Sequence, residues 1–229
     1  MILRFDSVTS TQDVLRDLAE RGAVEGTVVV AETQTAGRGR SGRIWESPRG
    51  LGLYVSVLVR PRVPPERLGL LTLATGVAVA EVIRIGKLKW PNDLLAPDGR
   101  KLAGILAEAE VRDGRLAFVL LGIGLNLHAE NLRIPDAAAL DEFAVVQVNL
   151  AERIAARVME LQYWLDAPEA LVGAWKEWNV TLGRRVRVDG PGGVIEGDAL
   201  DVDSSGALLV RLPSGEEARV ICGDVELSR

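Results

Sequence analysis

Residues that cage metals or cross-link chains are nearly missing from this sequence. It holds one cysteine, Cys222, and one histidine, His128. No internal disulfide can form, and a Cys/His metal cage is excluded. No apolar run is long enough to span a bilayer. The opening stretch MILRFDSVTSTQ meets Asp6 too early to be a secretory signal, which leaves the cytoplasm as the expected location. Internal repeats and low-complexity tracts are absent. So is an excess of positive charge: the net charge is −5, whereas a nucleic-acid-binding chain usually carries a basic face. What remains is an ordinary globular composition over 229 residues, 48% hydrophobic and 26% charged, enough for one large domain and a small one.

Hydrophobic periodicity organises the chain. Residues 10–21 read as a helix capped by Ser10 or Thr11, with Val14, Leu15 and Leu18 as its apolar stripe and Gly22 as its stop. The β-branched run at 27–31 reads as a buried strand, and 51–59 as a second. After Pro61, Pro64 and Pro65, residues 66–83 read as a long, well-buried helix. A run of strands follows: 87–90, then 101–111, then 116–127, the last two joined by the hairpin signal Asp113-Gly114. The stretch 116–127 is apolar enough to be covered on both faces. Residues 129–144 look irregular, and 146–164 and 168–178 read as helices. Trp164, Trp175 and Trp178 suit core or inter-domain packing better than a ligand cage. From Gly183 onwards glycine-rich turns alternate with short β runs, which reads as a small barrel-like β module docked on the first domain. The expected domains are therefore 1–182 and 183–229.

Positive charge is concentrated in GRGRSGR, residues 37–43, where Arg38, Arg40 and Arg43 have no acid among them. Gly37, Gly39 and Gly42 spell G-x-G-x-x-G. A dinucleotide fingerprint needs strand, glycine turn, then helix, because the helix N-terminus holds the pyrophosphate. Here a second strand follows instead of a helix, so that reading fails, and no Lys-Ser or Lys-Thr completes a P-loop. What is left is a flexible, glycine-hinged loop whose guanidinium forks suit phosphate or carboxylate oxygens, with Trp45 placed to stack on a base. A solvated surface loop is the bland alternative.

Other residues carry two readings each. Gly104, Gly122 and Gly124 interrupt neighbouring strands; they mark either a floor for a flat molecule or simple packing and a bulge. Asn92 and Asp93 in KWPND suit an Asx turn or a site. Lys101 is a solvated strand end or a point charge for an anion. Asn126 is a strand-end cap or an amide able to read an adenine edge.

Taken in order, Ser10-Thr11-Gln12, then Gln34 through Trp45, then Lys89-Trp90-Pro91-Asn92-Asp93, then Arg100-Lys101-Leu102-Ala103-Gly104-Ile105-Leu106, then Gly122-Ile123-Gly124-Leu125-Asn126 closely resemble the biotin protein ligases. The tail resembles that family's small SH3-like domain. The resemblance implies an α+β fold, a mixed sheet flanked by helices as in class II aminoacyl-tRNA synthetases, with a C-terminal SH3-like β-barrel. It implies activation of biotin by MgATP to biotinyl-5′-adenylate, then transfer to a lysine of a biotin carboxyl carrier protein. By resemblance, Ser10, Thr11, Gln12 and Gln34 lie at the ureido end of biotin. Arg38, Gly39, Arg40, Lys101 and Gly104 lie along the rest of it. Arg38, Arg40, Arg43, Trp45, Lys101 and Asn126 contact ATP or the adenylate. Arg40 and Lys101 are the candidate catalytic cations, and Asp93 is the candidate for orienting or deprotonating the acceptor lysine. Mg2+ is expected on the ATP phosphates, not on Cys or His. A homodimer through an exposed sheet edge is implied as well. Some family members carry an N-terminal winged-helix DNA-binding domain; here the first motif starts at residue 10, so none is expected. A lipoate protein ligase of the same superfamily and a non-enzymatic nucleic-acid-binding module are the rival functions.

Overall fold

The computed structural model describes every residue except 131, 133, 144, 146, 147 and 229. In chain order the strands and helices are β1 (Ile2–Phe5), α1 (Thr11–Glu20), β2 (Val28–Ala31), β3 (Gly52–Val59), α2 (Leu68–Ile83), β4 (Lys87–Lys89), β5 (Asp93–Leu95), β6 (Lys101–Arg112), β7 (Arg115–Asn126), α3 (Leu150–Leu161), α4 (Pro168–Trp178), and then β8 (Arg185–Gly190), β9 (Gly193–Val202), β10 (Leu208–Arg211), β11 (Glu217–Val220) and β12 (Asp224–Leu227). The first seven strands form one mixed sheet in the order β1-β2-β3-β7-β6-β5-β4. Only β1 and β2 run parallel; the other pairs are antiparallel.

Alternation along β6 and β7 decides what each sheet face holds. Ala103, Ile105, Val119, Leu121, Ile123 and Leu125 point to one face and join the main core, where α2, α3 and α4 pack. α2 is apolar on nearly every side because it lies between the sheet and the other two helices. The opposite face carries Leu58, Phe118 and Leu120, which pack with Val29 under Leu15 and Ala19 of α1. Further along the same strands that face runs out of bulk. Ser56, Gly122, Gly124 and Gly104 continue the rows, with Gly104 directly opposite Gly124 and Ser56 opposite Gly122. α1 thus covers half of this face and leaves a shallow trough beside its N-terminus.

The last five strands form an antiparallel sheet in the order β11-β10-β9-β8-β12. It is open: β11 and β12 are its two edges, so the barrel expected from the sequence is not closed. Its inner residues, such as Val186, Val188 and Leu208, belong to the same apolar cluster as the large sheet. The turn at 203–206 seats against the start of α2. There Gly206 has φ +89°, and a Cβ on it would lie 2.9 Å from the Gly69 backbone. The Gly206 carbonyl accepts a 2.9 Å hydrogen bond from Nε1 of the fully buried Trp90.

Two short strands, β1 and β5, escape detection by pattern because they are brief and flanked by polar residues. The helix expected over 146–164 begins only at Leu150, after Asn149 in the left-handed region, and ends in a 3₁₀ segment, Gln162–Asp166. Residues 146 and 147 of that expectation lie outside the described residues. Of the three tryptophans assigned to packing, Trp175 is buried. Trp164 is 36% exposed, with the Arg157 guanidinium 5.9 Å from its ring centroid.

Candidate active site

The trough is bounded by the N-terminus of α1, the arginine loop, the 92–93 turn and β6. At its inner end Ser10 caps α1: its hydroxyl accepts from the Gln12 amide at 3.2 Å. Thr11 donates its amide to Gln34 Oε1 at 2.9 Å and shares a 2.8 Å bond with the Ser56 hydroxyl. Gln34 in turn donates to Ser47 Oγ at 2.8 Å. Gln12 lies over Gly122 and donates to the carbonyls of Leu106 and Leu120 at 3.1 and 3.3 Å. Ser10, Thr11 and Gln12 are all buried. This end is neutral, hydrogen-bonded throughout and held by a helix start, which suits a polar, uncharged ligand group.

The GRGRSGR stretch is not an irregular loop. Arg38 bridges Ile44, the Trp45 amide donates to the Gly37 carbonyl at 3.0 Å, and the Gly39 amide donates to Arg43 at 2.7 Å. The tip is Ser41 (φ 54°) followed by Gly42 (φ 74°), two positive φ values in the pattern of a tight hairpin turn. The glycine motif therefore serves a hairpin, and no helix follows it before β3. Gly37 is required at the base, where a Cβ would lie 2.4 Å from the Trp45 carbonyl oxygen.

The three arginines have different partners. Arg38 makes a fork with Glu108, Nε to Oε1 at 3.1 Å and Nη2 to Oε2 at 3.0 Å, and also donates to Asp13. Its pKa is raised: desolvation, the largest influence, lowers it, but the bonds and charges of Glu108 and then Asp13 outweigh that. Arg43 pairs with Asp224 at the start of β12. Arg40 alone has no carboxylate partner among the described residues. Its Nη1 donates to the neutral Asn92 Oδ1 at 2.9 Å and the Gly223 carbonyl at 3.3 Å. The expectation that no acid balances this loop thus holds within its own sequence but fails in space for Arg38 and Arg43.

Trp45 lies flat on the glycine floor. A Cβ on Gly124 would be 2.3 Å from its Cε2, and one on Gly104 2.8 Å from its Cζ3. Its Nε1 is buried without a hydrogen-bond partner, and Lys101 Nζ sits 5.5 Å from the ring centroid. The two glycines thus admit the close approach of the protein's own indole, the packing that is one of their two sequence readings. Asp93 stands between two ammonium groups, Lys101 Nζ at 2.6 Å and Lys89 Nζ at 3.3 Å. Asn126 is buried beside the floor and donates to the carbonyls of Ala138 and Lys101 at 3.0 and 3.3 Å, the strand-end role of its two readings.

All the sequence-nominated residues border one cleft, with Asn126 behind its wall. Asp13, Ser56, Glu108 and Asp224 also shape it and went unnominated. Glu108 and Glu110 had a signal: they break the apolar row of β6 on the face that carries Gly104. Asp224 had none, since only the docking of the small sheet brings it to the cleft. Among the described residues no group of His, Cys, Asp and Glu is arranged to hold a metal, and the carboxylates of Asp93 and Asp224 are taken by lysine and arginine.

Residues 4–126 match the model of the biotin/lipoate A/B protein ligase family, and residues 181–228 match the biotin protein ligase C-terminal domain. A biotin--[acetyl-CoA-carboxylase] ligase of Mycobacterium tuberculosis is 39% identical over 97% of this chain and 88% of its own length. The bifunctional ligase/repressor BirA of Bacillus subtilis is 32% identical over 99% of this chain and 74% of its own. Among solved structures, biotin protein ligase from Aquifex aeolicus in complex with biotin and ATP superposes with a TM-score of 0.78 at 28% identity, covering 100% of this chain and 98% of that one.

Proposed function

From the premise that the chain belongs to the biotin/lipoate A/B protein ligase family, we infer that it is an ATP-dependent biotin–[acetyl-CoA-carboxylase] ligase. It joins the biotin carboxylate to the α-phosphate of ATP, releasing pyrophosphate. It then passes the biotinyl group from the adenylate to a carrier-domain lysine, releasing AMP as the amine loses its proton. One observation carries this reading: a neutral hydrogen-bonding pocket and an Arg40 without a carboxylate partner among the described residues lie at the two ends of one cleft.

The roles follow from charge. Carboxylate and triphosphate repel each other, and negative charge grows on the phosphorus being attacked. Arg40 and Lys101 are the cations positioned to offset both. Arg43 reaches the same end if it leaves Asp224. Ser10, Thr11, Gln12 and Gln34 suit a ureido group, whereas a dithiolane ring offers them no hydrogen bonds, which supports biotin over lipoate. The biotin chain runs past Gly39 and Gly104. Trp45, lying on the glycine floor, walls one side of the adenylate site and keeps water from its labile anhydride. Mg2+ would be held by the nucleotide phosphates and would supply neutralisation of part of their charge, since no group of His, Cys, Asp and Glu among the described residues is arranged to hold it. Asp93 positions Lys101 and orients or deprotonates the acceptor lysine. Replacing it by asparagine is expected to slow transfer more than adenylate formation; equal slowing would leave only the Lys101 role.

The domain boundary is placed at 182/183, supported by the start of the C-terminal family match at 181 and of β8 at Arg185. The acceptor is a biotin carboxyl carrier protein, and a homodimer through an exposed sheet edge is proposed with it. No helix among the described residues is long and apolar enough to cross a membrane, and a cytoplasmic site of action is proposed. The deciding experiment is ATP–pyrophosphate exchange with biotin, with lipoate and with neither. Exchange with biotin alone is expected. Exchange with lipoate but not biotin, or with neither, would refute the assignment, and tight DNA binding in a mobility-shift assay in the latter case would favour the nucleic-acid module.

A further inference from the structure

The Arg38 guanidinium is bound by carboxylates on both walls of the cleft. Glu108 holds it from β6 through two parallel bonds of 3.1 and 3.0 Å, and Asp13 holds it from the first turn of α1. Arg16, one turn further along α1, braces Glu108 from behind at 3.1 Å and Glu110 at 3.5 Å. Arg38 stands at the base of the hairpin, where its backbone bridges Ile44, one residue before the indole that lies on the glycine floor. The side chains are partly shielded, Arg38 at 34% and Glu108 at 23% exposure. Two carboxylates lie close to this guanidinium and offset its charge.

We propose that Glu108 and Asp13 are positioning residues that strap Arg38, and through it the arginine hairpin, closed over the glycine floor, so that the acyl-adenylate is retained until the acceptor lysine arrives. This rests on the ligase reading above. Arg38 then acts through its backbone and its tether, while the charge that meets the phosphate comes from Arg40 and Lys101. Cutting the strap leaves the chemistry in place and lets the intermediate out.

The test compares wild type with Glu108→Gln, Glu108→Asp and Asp13→Asn. Three quantities are measured: biotin-dependent pyrophosphate exchange, adenylate escaping into solution as trapped by hydroxylamine, and trypsin cleavage after Arg40 and Arg43. Losing a charge-assisted fork is expected to raise escape by about tenfold in Glu108→Gln and less in Asp13→Asn, with exchange changed by no more than about threefold. Cleavage at the hairpin tip should rise in parallel. Glu108→Asp, which keeps the charge, should recover part of the retention. Escape and cleavage at wild-type levels in a folded Glu108→Gln or Asp13→Asn protein would overturn the strap. So would equal escape from Glu108→Gln and Glu108→Asp. Absence of exchange in wild type would instead count against the ligase reading itself.

Discussion

At the inner end of the cleft, Ser10, Thr11 and Gln12 are buried, neutral and bonded to one another's neighbours through short hydrogen bonds fixed by the start of α1. At the outer end Arg40, Arg43 and Lys101 are at least partly exposed cations on long side chains, held by Asn92, Asp224 and Asp93. The inner end has little freedom, because each buried polar group would lose a partner if it moved. The outer end is built from contacts that water and salt weaken, so it can exchange protein partners for ligand oxygens. Selection and activation are thereby separated along one floor. The inner end recognises an uncharged ring; the outer end neutralises the anions that react.

Changes that attack the shared floor should be the most severe. Gly124→Val places a branched side chain where the Trp45 indole lies 2.3 Å from even a Cβ. Biotin-dependent exchange is expected to vanish while circular dichroism stays native; near-wild-type exchange would mean that nothing flat needs that floor. At the outer end Lys101→Met keeps the aliphatic stem but removes the charge, leaving Asp93 paired with Lys89 alone. Exchange should fall by about 10²-fold, as for other lost donors to a developing anion. At the inner end Thr11→Val keeps the shape and removes the hydroxyl's bonds to Ser56 Oγ (2.8 Å) and Gln34 Oε1 (3.2 Å), while the backbone amide still donates to Gln34. Biotin affinity, measured by calorimetry, should weaken about tenfold with kcat little changed. A fall in kcat without weaker binding would place Thr11 at the chemistry instead and erase the division between the two ends.

The smallest effect concerns the turn that seats the small sheet. Asp203 has its pKa lowered to about 2: burial raises it, but bonds from Ser205, Arg219 and Ala207 prevail. A depressed carboxylate stabilises the fold fully above its ordinary value of 3.8, and that contribution is lost as pH falls towards about 2. Asp203→Asn should therefore lower the melting temperature at neutral pH and flatten its decline over that acid window. Unchanged acid melting would show that the turn contributes nothing through this group.

Much of this arrangement was legible because it is local. The apolar run at 116–127 reads as a strand covered on both faces, and it is β7, in the middle of the large sheet. The glycines at 104, 122 and 124 carry two readings, a floor or simple packing, and the order of the five motifs points to the family. Ser10 is one of the two caps read for the first helix, and it is the cap of α1. What stayed hidden depends on the third dimension. Asp13 and Glu108 lie far from Arg38 in sequence, so the loop read as uncompensated and flexible when two of its arginines are paired. Asp224 reaches the cleft only because the small sheet docks through Trp90 and Gly206. β1 and β5 are too short to show a period, and the small sheet's failure to close depends on edges that composition does not specify.

The division of labour is tested most directly by pyrophosphate exchange in Arg40→Gln. Arg40 is the one arginine of the hairpin without a carboxylate partner among the described residues, so its charge is the one expected to meet the reacting anions. Exchange should fall by about 10²- to 10³-fold while biotin binding changes by less than about threefold. Near-normal exchange, or a loss explained wholly by weaker biotin binding, would contradict it.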